Sequence, residues 1–135
     1  MPGGMLKVLV ADDQPEIREF FEASILAQGH LPVLAKNGRE AVEIAHRLQP
    51  DVVFLDIQLP VLDGFGVLEE LQRISYEGDV VMMTASPEIE TITAAFQKGA
   101  AAFLEKPLDM IAIKAILNEV LQQKSDPLRG ITTDK

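Results

Sequence analysis

The chain has 135 residues, 47% of them hydrophobic, enough for one domain with a single sizeable core. Its formal net charge is −9, from 21 acidic and 12 basic residues. The basic residues are scattered singly, which argues against nucleic-acid binding, because backbone recognition needs clustered Lys and Arg.

Zero cysteines exclude a disulfide framework and a thiolate metal site. No apolar run approaches the roughly 18 residues of a spanning helix, and the start "MPGGMLK" lacks the apolar stretch of a signal peptide. These features predict a soluble, cytoplasmic protein with no membrane partner.

In chain order, the first apolar run is "LKVLVA" (6–11), of strand length, and it ends in two adjacent carboxylates, Asp12 and Asp13. A helix-spaced stretch follows with Ile17, Phe20, Phe21 and Ile25, and Pro15 suits its opening turn, where no backbone donor is needed. The second strand is "LPVLA" (31–35); "NGRE" then allows Asn37 to cap a helix while Glu40 reaches back. The third, "DVVFLD" (51–56), leads into a turn in which Asp63 and Gly64 read as turn residues and Gly66 as an early helical one. The fourth, "DVVMMTA" (79–85), is followed by Ser86 and Pro87, which open the next helix, and the fifth, "AAFLEK" (101–106), by Asp109 as a cap. Periodicity fades after Gln123.

Several of these strands are continuously apolar, which indicates burial on both faces and hence a parallel sheet between helices, an α/β doubly wound domain. In such a sheet all carboxyl-terminal strand ends lie on one side, where ligands bind. Asp12 and Asp13 end the first strand, Asp56 the third, Thr84 lies near the end of the fourth, and Lys106 ends the fifth. Two carboxylates about 4 Å apart repel by roughly 4 kcal/mol at an effective dielectric of about 20, so one must hold a proton or a cation must sit among them. Oxygen-only ligands favour a hard cation, Mg²⁺ above all. With the Thr84 hydroxyl and the Lys106 ammonium, the crevice suits a divalent metal and a phosphoryl group. Each residue alone has an ordinary explanation as a turn, strand or solvated residue; their joint placement argues for a site.

The motifs "LVADDQ", "DVVFLDIQLPVLDG", "VVMMTAS" and "FLEKP", in that order, make the chain resemble the receiver domain of two-component response regulators (CheY-like) from about Lys7 to Gln123. The resemblance implies a (βα)5 flavodoxin-like fold, with a five-stranded parallel sheet of order 2-1-3-4-5 and helices on both faces. The expected organisation is a receiver domain at 6–124, an N-terminal extension at 1–5 and a flexible tail or linker at 125–135. By resemblance, Asp56 is the phosphoacceptor, and Asp12, Asp13, Asp56 and the Gln58 backbone carbonyl hold Mg²⁺. Thr84 is the switching hydroxyl, Lys106 pairs with a phosphoryl oxygen, and Pro107 follows a cis peptide bond. Phe103 occupies the place of the family's rotating aromatic, without a phenolic group. Gln58 and Glu88 stand at positions that tune phosphoryl lifetime.

The implied partners are a sensor histidine kinase or histidine phosphotransfer protein, and a downstream effector or output domain. A homodimer through the fourth helix, fifth strand and fifth helix is also compatible with the resemblance. No separate enzymatic domain is visible; the chemistry is self-catalysed phosphotransfer and dephosphorylation. The rival from another class is a receiver-like interaction module that works without phosphorylation. A haloacid-dehalogenase-type phosphatase would need an acid at Gln58, and "GFGVLE" (64–69) has Glu69 where a dinucleotide loop needs its third glycine. His30 and His46 read as solvated structural residues, and Met82 and Met83 as core.

Overall fold

A computed structural model describes residues 4–125. Five strands alternate with five helices: β1 (Lys7–Ala11), α1 (Pro15–Ala27), β2 (Leu31–Ala35), α2 (Gly38–Leu48), β3 (Val52–Asp56), α3 (Gly64–Arg73), β4 (Asp79–Thr84), α4 (Ile89–Gln97), β5 (Ala102–Glu105) and α5 (Met110–Ser125). All strand pairs are parallel, in the order β2-β1-β3-β4-β5, as the flavodoxin-like fold requires. The proposed tail lies outside the described residues, apart from Ser125 at the end of α5.

The period of two along a strand explains the layers. Leu9 and Ala11 of β1, Val53 and Leu55 of β3 and Val80 and Met82 of β4 pack against α2, α3 and Ala95 of α4. Their neighbours Val8, Val10, Val52, Phe54, Val81 and Met83 point the other way, onto Phe21 and Ile25 of α1 and Ile113, Leu117 and Val120 of α5. The three inner strands therefore need apolar side chains at consecutive positions, and each fully buried Val or Leu contributes about 1.5–3 kcal/mol. Among the described residues, no helix is long and apolar enough to cross a membrane.

Local expectations are refined at three places and met at a fourth. The Asn37 Oδ1 accepts the Glu40 N–H at 2.8 Å, but the Glu40 carboxylate reaches back to the N–H of Lys36 at 2.7 Å, one residue beyond the cap. Gly64 is already the first residue of α3, and Asp63 is its cap, its side chain accepting the Gly66 N–H at 2.9 Å. Helix α4 starts at Ile89 with Glu88 at its cap position, two residues later than Ser86 and Pro87 suggest, because the Ser86 carbonyl first closes a tight turn by accepting the Glu88 N–H at 3.0 Å. Asp109 caps α5 as expected, accepting the Ile111 N–H at 2.8 Å.

His46 is exposed, but His30 is a correction: it is only 6% exposed, not solvated. Its Nδ1 accepts the N–H of Leu6 at 3.0 Å, closing the start of β1 against the α1–β2 turn. Burial lowers its pKa from the ordinary 6.5, partly opposed by the charge of Asp51.

Candidate functional site

The crevice lies at the carboxyl ends of β1, β3, β4 and β5. Asp12, just past β1, is fully buried and anchored on every side. Its N–H donates to the Ala35 carbonyl at 3.1 Å, its Oδ1 accepts the Gln14 N–H at 3.0 Å, and its carbonyl accepts Arg18 Nη1 at 2.7 Å. Asp13, the next residue, is exposed and faces the crevice.

Asp56, the last residue of β3, is 5% exposed, and its Oδ1 accepts the Gln58 N–H at 3.0 Å. The loop behind it is packed tightly enough to require glycine twice. A Cβ on Gly64 would lie 2.6 Å from both the Asp56 carbonyl oxygen and the Ile57 Cα; one on Gly38 would lie 1.7 Å from the Leu62 carbonyl oxygen. These neighbours are backbone atoms that cannot swing aside. On the far side, the Lys106 N–H donates to the Thr84 carbonyl at 2.8 Å, and the Lys106–Pro107 peptide is cis.

Lys106 Nζ spans the acids, 2.8 Å from Asp12 Oδ2 and 2.9 Å from Asp56 Oδ2, with Gln14 Oε1 at 3.5 Å. Burial pushes the Asp56 pKa up, and the charge of Asp12 adds to this, outweighing the hydrogen bonds from Lys106 and Gln58. Burial alone would lower the Lys106 pKa, but its bonds to Asp12 and Asp56 and their charges reverse the direction, so it stays protonated.

Asp12, Asp13 and Asp56 each offer an oxygen within 4.8 Å of the others. Oxygen donors at that spacing suit a hard divalent cation, so the residues present fit Mg²⁺. The crevice has a volume of about 400 Å³ and is lined by Asp13, Gln14, Asp56, Gln58, Ala85 and Lys106.

The structure thus brings Asp12, Asp13, Asp56, Gln58 and Lys106 together. Thr84 is 7% exposed and close in sequence to the lining residue Ala85, but its hydroxyl accepts the Ser86 N–H at 3.1 Å and is not part of the wall. Phe103 is half-buried against the core shared with α2 and α3. Glu88 is taken up as the α4 cap position. Sequence reasoning missed Gln14, Arg18 and Ala85. Gln14 stands beside the acidic pair at a helix start, a cue that could have brought it forward.

The family model described as the response regulator receiver domain matches residues 8–118. Sporulation initiation phosphotransferase F of Bacillus subtilis (strain 168) is 32% identical over 120 residues, which are 89% of this chain and 97% of that protein. Regulatory protein AtoC of Escherichia coli (strain K12) is 33% identical over 119 residues, 88% of this chain but 26% of that protein. The chain spans about half the length, or less, of most curated relatives it matches. Among solved structures, the receiver domain of sensor histidine kinase PA1611 from Pseudomonas aeruginosa PAO1, with a magnesium ion coordinated in its active site cleft, superposes with a TM-score of 0.79 at 25% identity, covering 87% of this chain and 98% of that one.

Proposed function

Because this chain belongs to the response regulator receiver domain family, we propose that it is a phosphorylation-dependent signalling switch whose phosphoacceptor is Asp56. The observation that carries the reading is Lys106 Nζ held between Asp12 and Asp56, beside the exposed carboxylate of Asp13. Receiver domains take their phosphoryl group from histidine kinases or histidine phosphotransfer proteins and act on output domains; partners of these classes are proposed here, in the cytoplasm.

A carboxylate oxygen of Asp56 attacks the phosphorus of a phosphohistidine. The new O–P bond forms as the N–P bond breaks, and the electron pair returns to the imidazole nitrogen. Asp12, Asp13, Asp56 and the Gln58 carbonyl would hold Mg²⁺, which when bound supplies positive charge for the phosphoryl oxygens. Lys106 exchanges its bond to Asp56 for one to a phosphoryl oxygen, so the protein's own contribution is positioning and fixed charge. The acyl phosphate is labile to water, which returns Asp56 to its starting state.

The switch follows from the new charge. Thr84 gives up the Ser86 N–H and turns its hydroxyl to the phosphoryl group, and Phe103 moves into the space released, acting through burial alone. The change reaches the face formed by α4, β5 and α5, where Ile89, Phe96 and Ile111 are exposed and Ala95 is the single fully buried residue of α4. That face is where an effector, an output domain or a second copy would bind. Reversal from 1:99 to 99:1 needs about 5.5 kcal/mol of differential stabilisation, so a partial population shift is expected.

Amide NMR with beryllofluoride and Mg²⁺ tests this reading. Shifts at Thr84, Phe103 and along α4 and α5 are expected; shifts confined to the crevice would favour an interaction module that does not use phosphorylation.

A further inference from the structure

We propose that Gln14 is a positioning residue for phosphoryl transfer, acting through Lys106; this rests on the phosphotransfer reading of the site. Gln14 occupies the N-cap position of α1, where Ser, Thr, Asp or Asn would satisfy an orphan N–H, yet its side chain makes no capping bond. Its amide oxygen is instead directed at the Lys106 ammonium, at the long hydrogen-bonding distance of 3.5 Å. The side chain also lines the crevice, next to Asp13 in sequence.

Its backbone is fixed from both sides. The Gln14 N–H donates to Asp12 Oδ1, and its carbonyl accepts the N–H groups of Ile17 at 3.1 Å and Arg18 at 3.2 Å. Arg18 in turn holds the Asp12 carbonyl, so the turn from β1 into α1 forms one braced unit. The direction of the Gln14 Cα–Cβ bond is therefore set by the same contacts that set Asp12. In the resting site, Asp12 and Asp56 each take one donor of Lys106, and Gln14 is the third oxygen. When Asp56 becomes the nucleophile, Lys106 must leave it for a phosphoryl oxygen. Asp12 and Gln14 then define the position from which the ammonium meets that oxygen. A neutral oxygen does this without adding repulsion against the incoming phosphoryl group, as a carboxylate would.

The test compares wild type, Gln14→Asn, Lys106→Ala and the double variant for the rate of metal-dependent phosphorylation by acetyl phosphate, with thermal midpoints in parallel. Asn is a better cap but too short to reach Lys106. Gln14→Asn is therefore expected to keep or raise the midpoint while lowering the limiting rate about threefold to tenfold, with the half-saturating donor concentration unchanged. In the Lys106→Ala background the same change should have no further effect. Equal rates for Gln14→Asn and wild type, or an equal slowing in both backgrounds, would overturn the role of Gln14 while leaving the phosphotransfer reading intact. A wild type that takes up no phosphoryl group would overturn both.

Discussion

Lys106 Nζ sits 2.8 Å from a carboxylate oxygen of Asp12 and 2.9 Å from one of Asp56, tying the ends of β1 and β3 through a residue just past β5. The side chain of Lys106 is 13% exposed, so the two contacts are shielded from solvent. Truncating it leaves two buried acids facing one another. Lys106→Ala should cost about 3 kcal/mol in urea unfolding without divalent metal. Added Mg²⁺ should restore stability to the variant more than to the wild type, since the cation then faces acids with no ammonium among them. Equal responses to Mg²⁺ would argue against a shared acidic site.

Asp56 carries the opposite kind of tension. Its carboxyl pKa is raised mainly by burial, so its ionised form is less favourable in the fold than in the unfolded chain. Asp56→Asn removes the charge and keeps the shape, and should raise the thermal midpoint at pH 7 while abolishing phosphorylation. A lower midpoint would mean that the bond to Lys106 outweighs burial.

The pH dependence of stability should carry the mark of His30. Its pKa in the fold lies below 6.5, so above that pH both folded and unfolded chains hold it neutral and its contribution is complete. As the pH falls below 6.5 the unfolded chain takes up the proton first, and stability is lost until the folded pKa is passed. Protonation of Nδ1 would also abolish the bond from the Leu6 N–H. His30→Gln, which keeps an acceptor, should flatten this part of the profile in urea unfolding; an unchanged slope would assign it to other groups.

Gly64 tests the tight approach of α3 to the acceptor loop. Because its Cβ would meet backbone at 2.6 Å, Gly64→Ala should destabilise by about 1–3 kcal/mol and slow phosphorylation as the Asp56 segment shifts. Asp63→Ala, by contrast, removes a helix cap and should cost about 1 kcal/mol while leaving the site able to react. Urea midpoints and phosphorylation rates together separate the two.

Much of this architecture is legible in the sequence for a simple reason. The inner strands β1, β3 and β4 are buried on both faces and must be apolar throughout, and polar residues at their ends then stand out. Asp12, Asp56, Thr84 and Lys106 are found by that contrast, since a parallel sheet brings strand ends together. What stays hidden depends on contacts between distant segments. His30 is buried because the Leu6 N–H, 24 residues earlier, needs an acceptor. The start of α4 is an exception, set locally by the turn in which the Ser86 carbonyl accepts the Glu88 N–H. Gly64 resembles any turn glycine until the Asp56 backbone is seen behind it. Gln14 carries only the weak cue of standing beside the acidic pair, because its partner lies 92 residues away.

The central claim, that Asp56 is the acceptor in a cation-assisted site, is tested most directly by intact-protein mass spectrometry after incubation with acetyl phosphate. The samples are wild type and Asp56→Asn, each with and without Mg²⁺. One phosphoryl adduct on the wild type, dependent on Mg²⁺ and absent from Asp56→Asn, is the predicted result. No adduct under any condition, or an adduct that persists in Asp56→Asn, would contradict it.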